Sequence, residues 1–160
     1  MTKLQLKYIL CICYFTIACV VFPFGYAHAI TPLKYSDDIS TSLRFQIDGF
    51  LKEQYNTDSS QFSIASFDLN GDGVQEHILR RKSCNLEEND CTHIIIAEKR
   101  DRILLLSKIR ARRLMVDSKS SYGIKNLLAF KNELNDYNFD IYMWSPKEKL
   151  YIIVEQQTKD

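Results

Sequence analysis

Asp68, Asn70, Asp72 and Glu76 are the residues of this chain whose types and spacing point to a defined chemistry. They stand in the stretch Asp68-Leu69-Asn70-Gly71-Asp72-Gly73-Val74-Gln75-Glu76, which reads D-x-N-x-D-G-x-x-E. Short oxygen side chains recur at alternate positions, a glycine turns the chain, and a carboxylate closes the run. An oxygen-only set suits Ca²⁺, a hard cation that takes about six to eight oxygens at about 2.3–2.6 Å. Mg²⁺ fits less well, because it demands a stricter octahedron. Asn70-Gly71-Asp72-Gly73 is also good turn chemistry. A bare turn, however, has no use for Asp68 and Glu76, and three carboxylates in so short a loop repel one another unless a cation joins them.

An EF-hand begins the same way but needs a bidentate Glu at loop position 12. Leu79 occupies that position, and the flanks alternate like strands, so an EF-hand is excluded. The stretch Phe67 to Ile78 instead resembles the calcium loops of FG-GAP and VCBS-type repeats, and more distantly those of dockerins and thrombospondin type 3 repeats. The resemblance implies Asp68, Asn70 and Asp72 as side-chain ligands, Val74 through its carbonyl, and Glu76 as the closing carboxylate. FG-GAP repeats usually close with Asp, where this chain has the longer Glu76. The chain carries one copy, not the array that a propeller requires.

Other chemistry is sparse. The chain has no G-x-S-x-G, H-E-x-x-H, P-loop or G-x-G-x-x-G motif. If Cys84 faces Cys91, His77 faces Glu98 and Lys82 faces His93; on that register the two histidines are too far apart to converge on zinc and read as ordinary strand residues.

The first residues read as an export signal. Lys3 and Lys7 precede an apolar run from Tyr8 to Val21, and Ala27-His28-Ala29 matches a small-x-small cleavage site. The run stops at Phe22-Pro23, short of the roughly 20 residues of a spanning helix. The expectation is a signal peptide over 1–29 and one domain over 30–160. Cys11, Cys13 and Cys19 would leave with the signal. Cys84 and Cys91 would remain as an even pair in an oxidising compartment, where a disulfide clamping a hairpin loop is expected. There is no C-x-x-C and no second ligand pair to suggest zinc.

Of 21 lysines and arginines, Lys3 and Lys7 fall in the signal, which leaves near neutrality against 20 acidic residues. That balance speaks against a dedicated nucleic-acid binder. Charge is nevertheless split. Arg80 to Arg113 is predominantly basic and Ile30 to Leu79 predominantly acidic. Such a split can steer a charged partner, or guard edge strands from pairing.

The elements that must position these residues follow from periodicity. Ser36-Asp37-Asp38 is a candidate helix cap, and Ile39, Leu43, Ile47, Phe50, Leu51 and Tyr55 keep helical spacing. Beyond Gln61 the period becomes two. Strands are predicted before the acidic loop, over Glu76–Lys82, Thr92–Lys99, Ile103–Ile109, Leu114–Val116, Asn138–Trp144 and Leu150–Glu155, with Leu127–Phe130 ambiguous. The expected fold is α+β, with an N-terminal helix on an antiparallel meander of about six to seven strands.

In the strand Asn138–Trp144, Phe139, Ile141 and Met143 share one face and are expected in the core. Tyr142 and Trp144 share the other, where large rings anchor a protein partner or pack beneath the helix. The reading that unites these features is a periplasmic or secreted, non-enzymatic protein-binding module of inhibitor or immunity type. It would hold a structural calcium ion, meet a protein partner in the cell envelope and touch the membrane only through its signal. A cell-wall hydrolase and a calcium-dependent surface factor are the alternatives.

Overall fold

The computed structural model describes residues 29–84, 91–100, 102–131 and 138–157, the side chains of 155–157 excepted. Residues 1–28 of the expected signal, residues 85–90 of the expected disulfide loop and Asp101 of the expected turn lie outside the described residues. No helix among the described residues is long and apolar enough to cross a membrane.

The helically spaced residues form α1 (Thr41–Tyr55). Its cap is Ser40, whose Oγ accepts from the Leu43 N–H at 3.2 Å. The expected cap, Ser36-Asp37-Asp38, is used otherwise. Ser36 forms a β-bridge with Ile64, and Asp37 holds Lys82 at 2.8 Å. Ser40 wins because a cap oxygen must stand immediately before the first turn to reach its free N–H groups. Asn56 ends the helix in the left-handed region, φ 51°.

Nine strands are present among the described residues: β1 (Thr31–Pro32), β2 (Phe62–Phe67), β3 (Glu76–Arg81), β4 (Thr92–Lys99), β5 (Arg102–Arg110), β6 (Arg113–Ser121), β7 (Ile124–Phe130), β8 (Phe139–Ser145) and β9 (Leu150–Gln157). All pairings are antiparallel. The α+β, sheet-rich class therefore stands, with more strands than expected and two sheets in place of one meander. One sheet runs β2-β3-β4-β5, the other β1-β6-β7-β8-β9. The chain changes sheets between β1 and β2 and again at Ala111-Arg112, between β5 and β6.

Two sheets are needed because β3 and β4 are apolar on both faces. On one face Leu79, Ile94 and Ile96, with Phe62 and Ile64 of β2, share a buried cluster with Ile47 and Leu51 of α1. On the other face Ile78 and Ile95 are buried with Leu114, Val116, Leu127, Ala129 and Tyr151 of the five-stranded sheet. The run Ile94-Ile95-Ile96 feeds both clusters, which a strand with one wet face would not do.

The β3–β4 ladder is shifted by two residues from the expected register. His77 faces Ile96 and Arg80 faces His93. Cys84 and Cys91 lie beyond the strand ends, so they do not set the ladder. A shift of two keeps every side chain on its face, and His77 Nε2 still reaches Glu98 diagonally at 3.6 Å.

Candidate binding site at the acidic loop

The acidic loop joins β2 to β3, with Phe67 facing Glu76 across its base. Its side chains organise its own backbone. Asp68 Oδ1 accepts from Gly71 N at 2.7 Å, and Oδ2 from Gly73 N at 2.9 Å. Asn70 Oδ1 accepts from Asp72 N at 2.9 Å, and Asp72 Oδ1 from Val74 N at 2.7 Å. Asn70 Nδ2 donates to Asp72 Oδ2 at 2.9 Å. Gly71 and Gly73 sit at φ 73° and 84°, a region that side-chain-bearing residues rarely adopt.

Leu69 and Glu76 fasten this loop to the body. Leu69 is buried; its carbonyl accepts from Lys125 N at 2.7 Å, and its N–H donates to Glu76 Oε2 at 2.7 Å. Glu76 is itself 6% exposed. Burial raises its pKa above the ordinary carboxylate value; the Leu69 N–H opposes this, and the Asp72 and Asp68 charges add to the rise. The proposed ligand residues Asp68, Asn70, Asp72, Val74 and Glu76 thus lie in one ordered loop. Among the described residues, no three His, Cys, Asp or Glu side chains are gathered closely enough to hold a metal ion in this conformation. Asp68 and Asp72 are turned to loop N–H groups and Glu76 to that of Leu69.

The loop is also a wall. Leu69, Asn70 and Glu76 border a cavity of about 400 Å³, completed by Leu104, Leu105 and Leu106 of β5, Ile124 of β7, Trp144 of β8, and Ala97, Lys99 and Lys149. The three leucines reach it because β5 bulges. Ile96 faces Leu105 and Ile95 faces Ser107, so Leu106 is the extra residue. Leu104 and Leu105 are 42% and 45% exposed. Trp144 is half-buried and meets Tyr151 edge to face at 5.8 Å; the Tyr151 hydroxyl donates to the Lys125 carbonyl at 2.9 Å.

No protein family, curated protein or solved structure matches this chain. The likeness of the loop to calcium loops therefore rests on its own residues, and the site on its own geometry.

The two rings expected on a partner-facing surface both pack half-buried against the core between the sheets; Tyr142 faces Leu127, and Trp144 also lines the cavity. Phe139, Ile141 and Met143, expected in the core, are half-buried and belong to neither core cluster. Both faces of β8 carry large apolar groups, so alternation alone does not tell the inner face from the outer.

Cys84 and Cys91 are at disulfide distance, with Cα atoms 4.9 Å apart. Two groups were not foreseen. The Leu104–Leu106 wall is one, and three consecutive leucines in a strand were its only sequence mark, since a strand facing a single core alternates. The other is His93, fully buried at the far end of the interior.

Proposed function

We propose that this chain is a non-enzymatic, exported protein-binding module of inhibitor or immunity type, whose cavity beside Trp144 receives an apolar side chain of a protein partner. The observation that carries this reading is the shared wall. The acidic loop, through Leu69 and Glu76, and the exposed Leu104-Leu105 pair border the same cavity as Trp144. Tryptophan is among the residues on which interfaces concentrate binding energy, and the exposed leucines beside it leave apolar surface for a partner to cover. Lys99 and Lys149 favour a partner with carboxylates beside that anchor.

Calcium has a physical task in this reading. A cation among Asp68, Asp72 and Glu76 offsets their mutual repulsion and stiffens the wall that the partner meets. The export signal and the Cys84–Cys91 pair support a site of action outside the cytoplasm.

The test is capture from envelope extract on the immobilised chain 30–160, with Leu105→Asp and Trp144→Ala as matched controls. A partner retained by the parent chain and lost by both variants supports the reading. Equal retention by all three sinks it.

One observation favours a second reading, a cell-wall hydrolase. A carboxyl group buried in an apolar wall with a raised pKa has the setting of a general acid. Turnover of peptidoglycan that disappears in Glu76→Gln is its test. The two readings compete for one group, since a calcium ligand must be ionised.

A further inference from the structure

Tyr55, the last residue of α1, borders a cleft of about 420 Å³ together with residues from the end of the sheet where β3 finishes and β4 begins. We infer that this cleft is a second binding site, for a ligand bearing a dianionic phosphate ester on an apolar or ring-shaped body.

The cleft lies on the α1 side of the four-stranded sheet, at the opposite end of β3 from the acidic loop. Its floor spans two neighbouring rows of the sheet, two residues apart along the strands. Phe62 faces Arg81, and Ile94 faces Lys108. Phe62 and Ile94 are 4% and 3% exposed, so the floor is apolar and belongs to the core beneath α1. Arg81 and Lys108 are exposed side chains held over aromatic rings. The Arg81 guanidinium lies 5.8 Å from the Phe62 ring centre, and Lys108 Nζ lies 5.2 Å from that of Tyr55. Ser83 and Thr92 add hydroxyl groups, and no Asp or Glu is among the described lining residues. Arg110 also borders the cleft and is engaged with a partner of its own.

A plainer account places the cations there to face the C-terminal end of α1. That end carries about half a negative charge, which does not call for both Arg81 and Lys108. A guanidinium, an ammonium and two hydroxyls supply more donors than the two oxygens of a carboxylate can use. They match the oxygens of a phosphate, which arginine binds in bidentate fashion. The volume is within the range of small-molecule sites, about 300–1,000 Å³, and the Phe62–Ile94–Tyr55 surface gives the body of the ligand an apolar rest.

The experiment is calorimetric titration of the chain 30–160 with phenyl phosphate, with benzoate as the carboxylate control. In parallel, sedimentation with phosphatidic acid vesicles is compared with phosphatidylcholine vesicles. The expected result is saturable binding of phenyl phosphate, at least about tenfold tighter than benzoate, which is about 1.4 kcal/mol. Arg81→Gln and Lys108→Gln each weaken it, and the double variant abolishes it while melting like the parent. If only phosphatidic acid vesicles bind, with the same loss in the variants, the phosphate belongs to a lipid headgroup. Binding that persists in the double variant, a preference for benzoate, or no binding to either phosphate overturns the inference.

Discussion

The Tyr35 hydroxyl lies 2.9 Å from Nδ1 of His93, joining residues 58 positions apart in the chain. His93 Nε2 lies 3.1 Å from the Ala111 carbonyl. A carbonyl only accepts, so Nε2 carries the proton and Nδ1 accepts from Tyr35. The Arg80 guanidinium covers the Tyr35 ring at 4.1 Å. The segment that delivers Tyr35 links both sheets. Thr31 and Pro32 pair with Val116 and Met115 at the edge of the five-stranded sheet, and Ser36 bridges Ile64 at the edge of the four-stranded one. Tyr35 and His93 therefore fasten the lead-in segment to the interior.

Acid should loosen this fastening. Burial, with Arg80 as a smaller contributor, lowers the His93 pKa to about 4, against the Ala111 carbonyl. The unfolded chain takes up the proton near 6.5, the folded chain near 4. Stability is therefore full above 6.5 and falls as the pH drops towards 4, by on the order of 3 kcal/mol. Burial also lowers the pKa of His77, against the Glu98 charge, and so adds to the fall, whereas protonation of Glu76 opposes it. Melting temperature followed across this window should fall less steeply in His93→Gln. An unchanged slope in the variant would assign the effect elsewhere.

Tyr35→Phe tests the same contact at neutral pH. The variant keeps the ring beneath Arg80 but leaves Nδ1 of a fully buried imidazole without a donor. The expected loss is about 1–3 kcal/mol in urea unfolding. A double-mutant cycle with His93→Gln should show the two costs to be strongly non-additive. Additive costs would mean that the hydroxyl and the imidazole do not act as a pair.

Much of this architecture was legible in the residues, and the exceptions share a cause. The span of α1, most of the strands and the acidic loop between β2 and β3 follow from period and turn chemistry. The split into two sheets does not, although Ile94-Ile95-Ile96 hinted at a strand covered on both faces. The His77–Glu98 contact was foreseen from a register wrong by two residues, because long side chains reach diagonally and a shift of two preserves faces. Tyr142 and Trp144 were placed outward because period two names two faces without saying which is wet. The cavity needs the β5 bulge to bring Leu104, Leu105 and Leu106 to the acidic loop. A bulge shows in a sequence only as broken alternation, and its partners belong to other strands.

Reduction of the Cys84–Cys91 pair should destabilise the fold without dismantling it. The closed loop of about eight residues is worth roughly 2.5 kcal/mol by chain entropy. Cys91 is fully buried, and its carbonyl accepts from Ala111 N at 3.0 Å, so the change suited to the test is Cys84→Ser. Denaturation of the parent chain in dithiothreitol and of the variant without it should coincide. A reductant that leaves the midpoint unmoved would remove the clamp from the account.

Glu76→Gln separates the charge of the acidic loop from its hydrogen bond. The amide oxygen can still accept from Leu69 N, as Glu76 Oε2 does at 2.7 Å, but the buried charge beside Asp72 and Asp68 is gone. The folded pKa of Glu76 lies above the ordinary value of 4.5. For this group, stability is therefore full below 4.5 and is lost as the pH rises through the raised value. Without calcium, the variant should be more stable than the parent at neutral pH and equal to it in acid. With calcium at about a hundred times its Kd, the parent should gain about 2.7 kcal/mol, and EDTA should reverse the gain. The variant should gain little, because a neutral amide replaces the closing carboxylate. The parent's gain should also fade in acid, where protons compete for Glu76. A parent chain whose melting temperature does not move in millimolar calcium has no structural ion in this loop. A variant that responds as fully as the parent would leave Asp68 and Asp72 as the ligands and Glu76 as a buried wall residue alone.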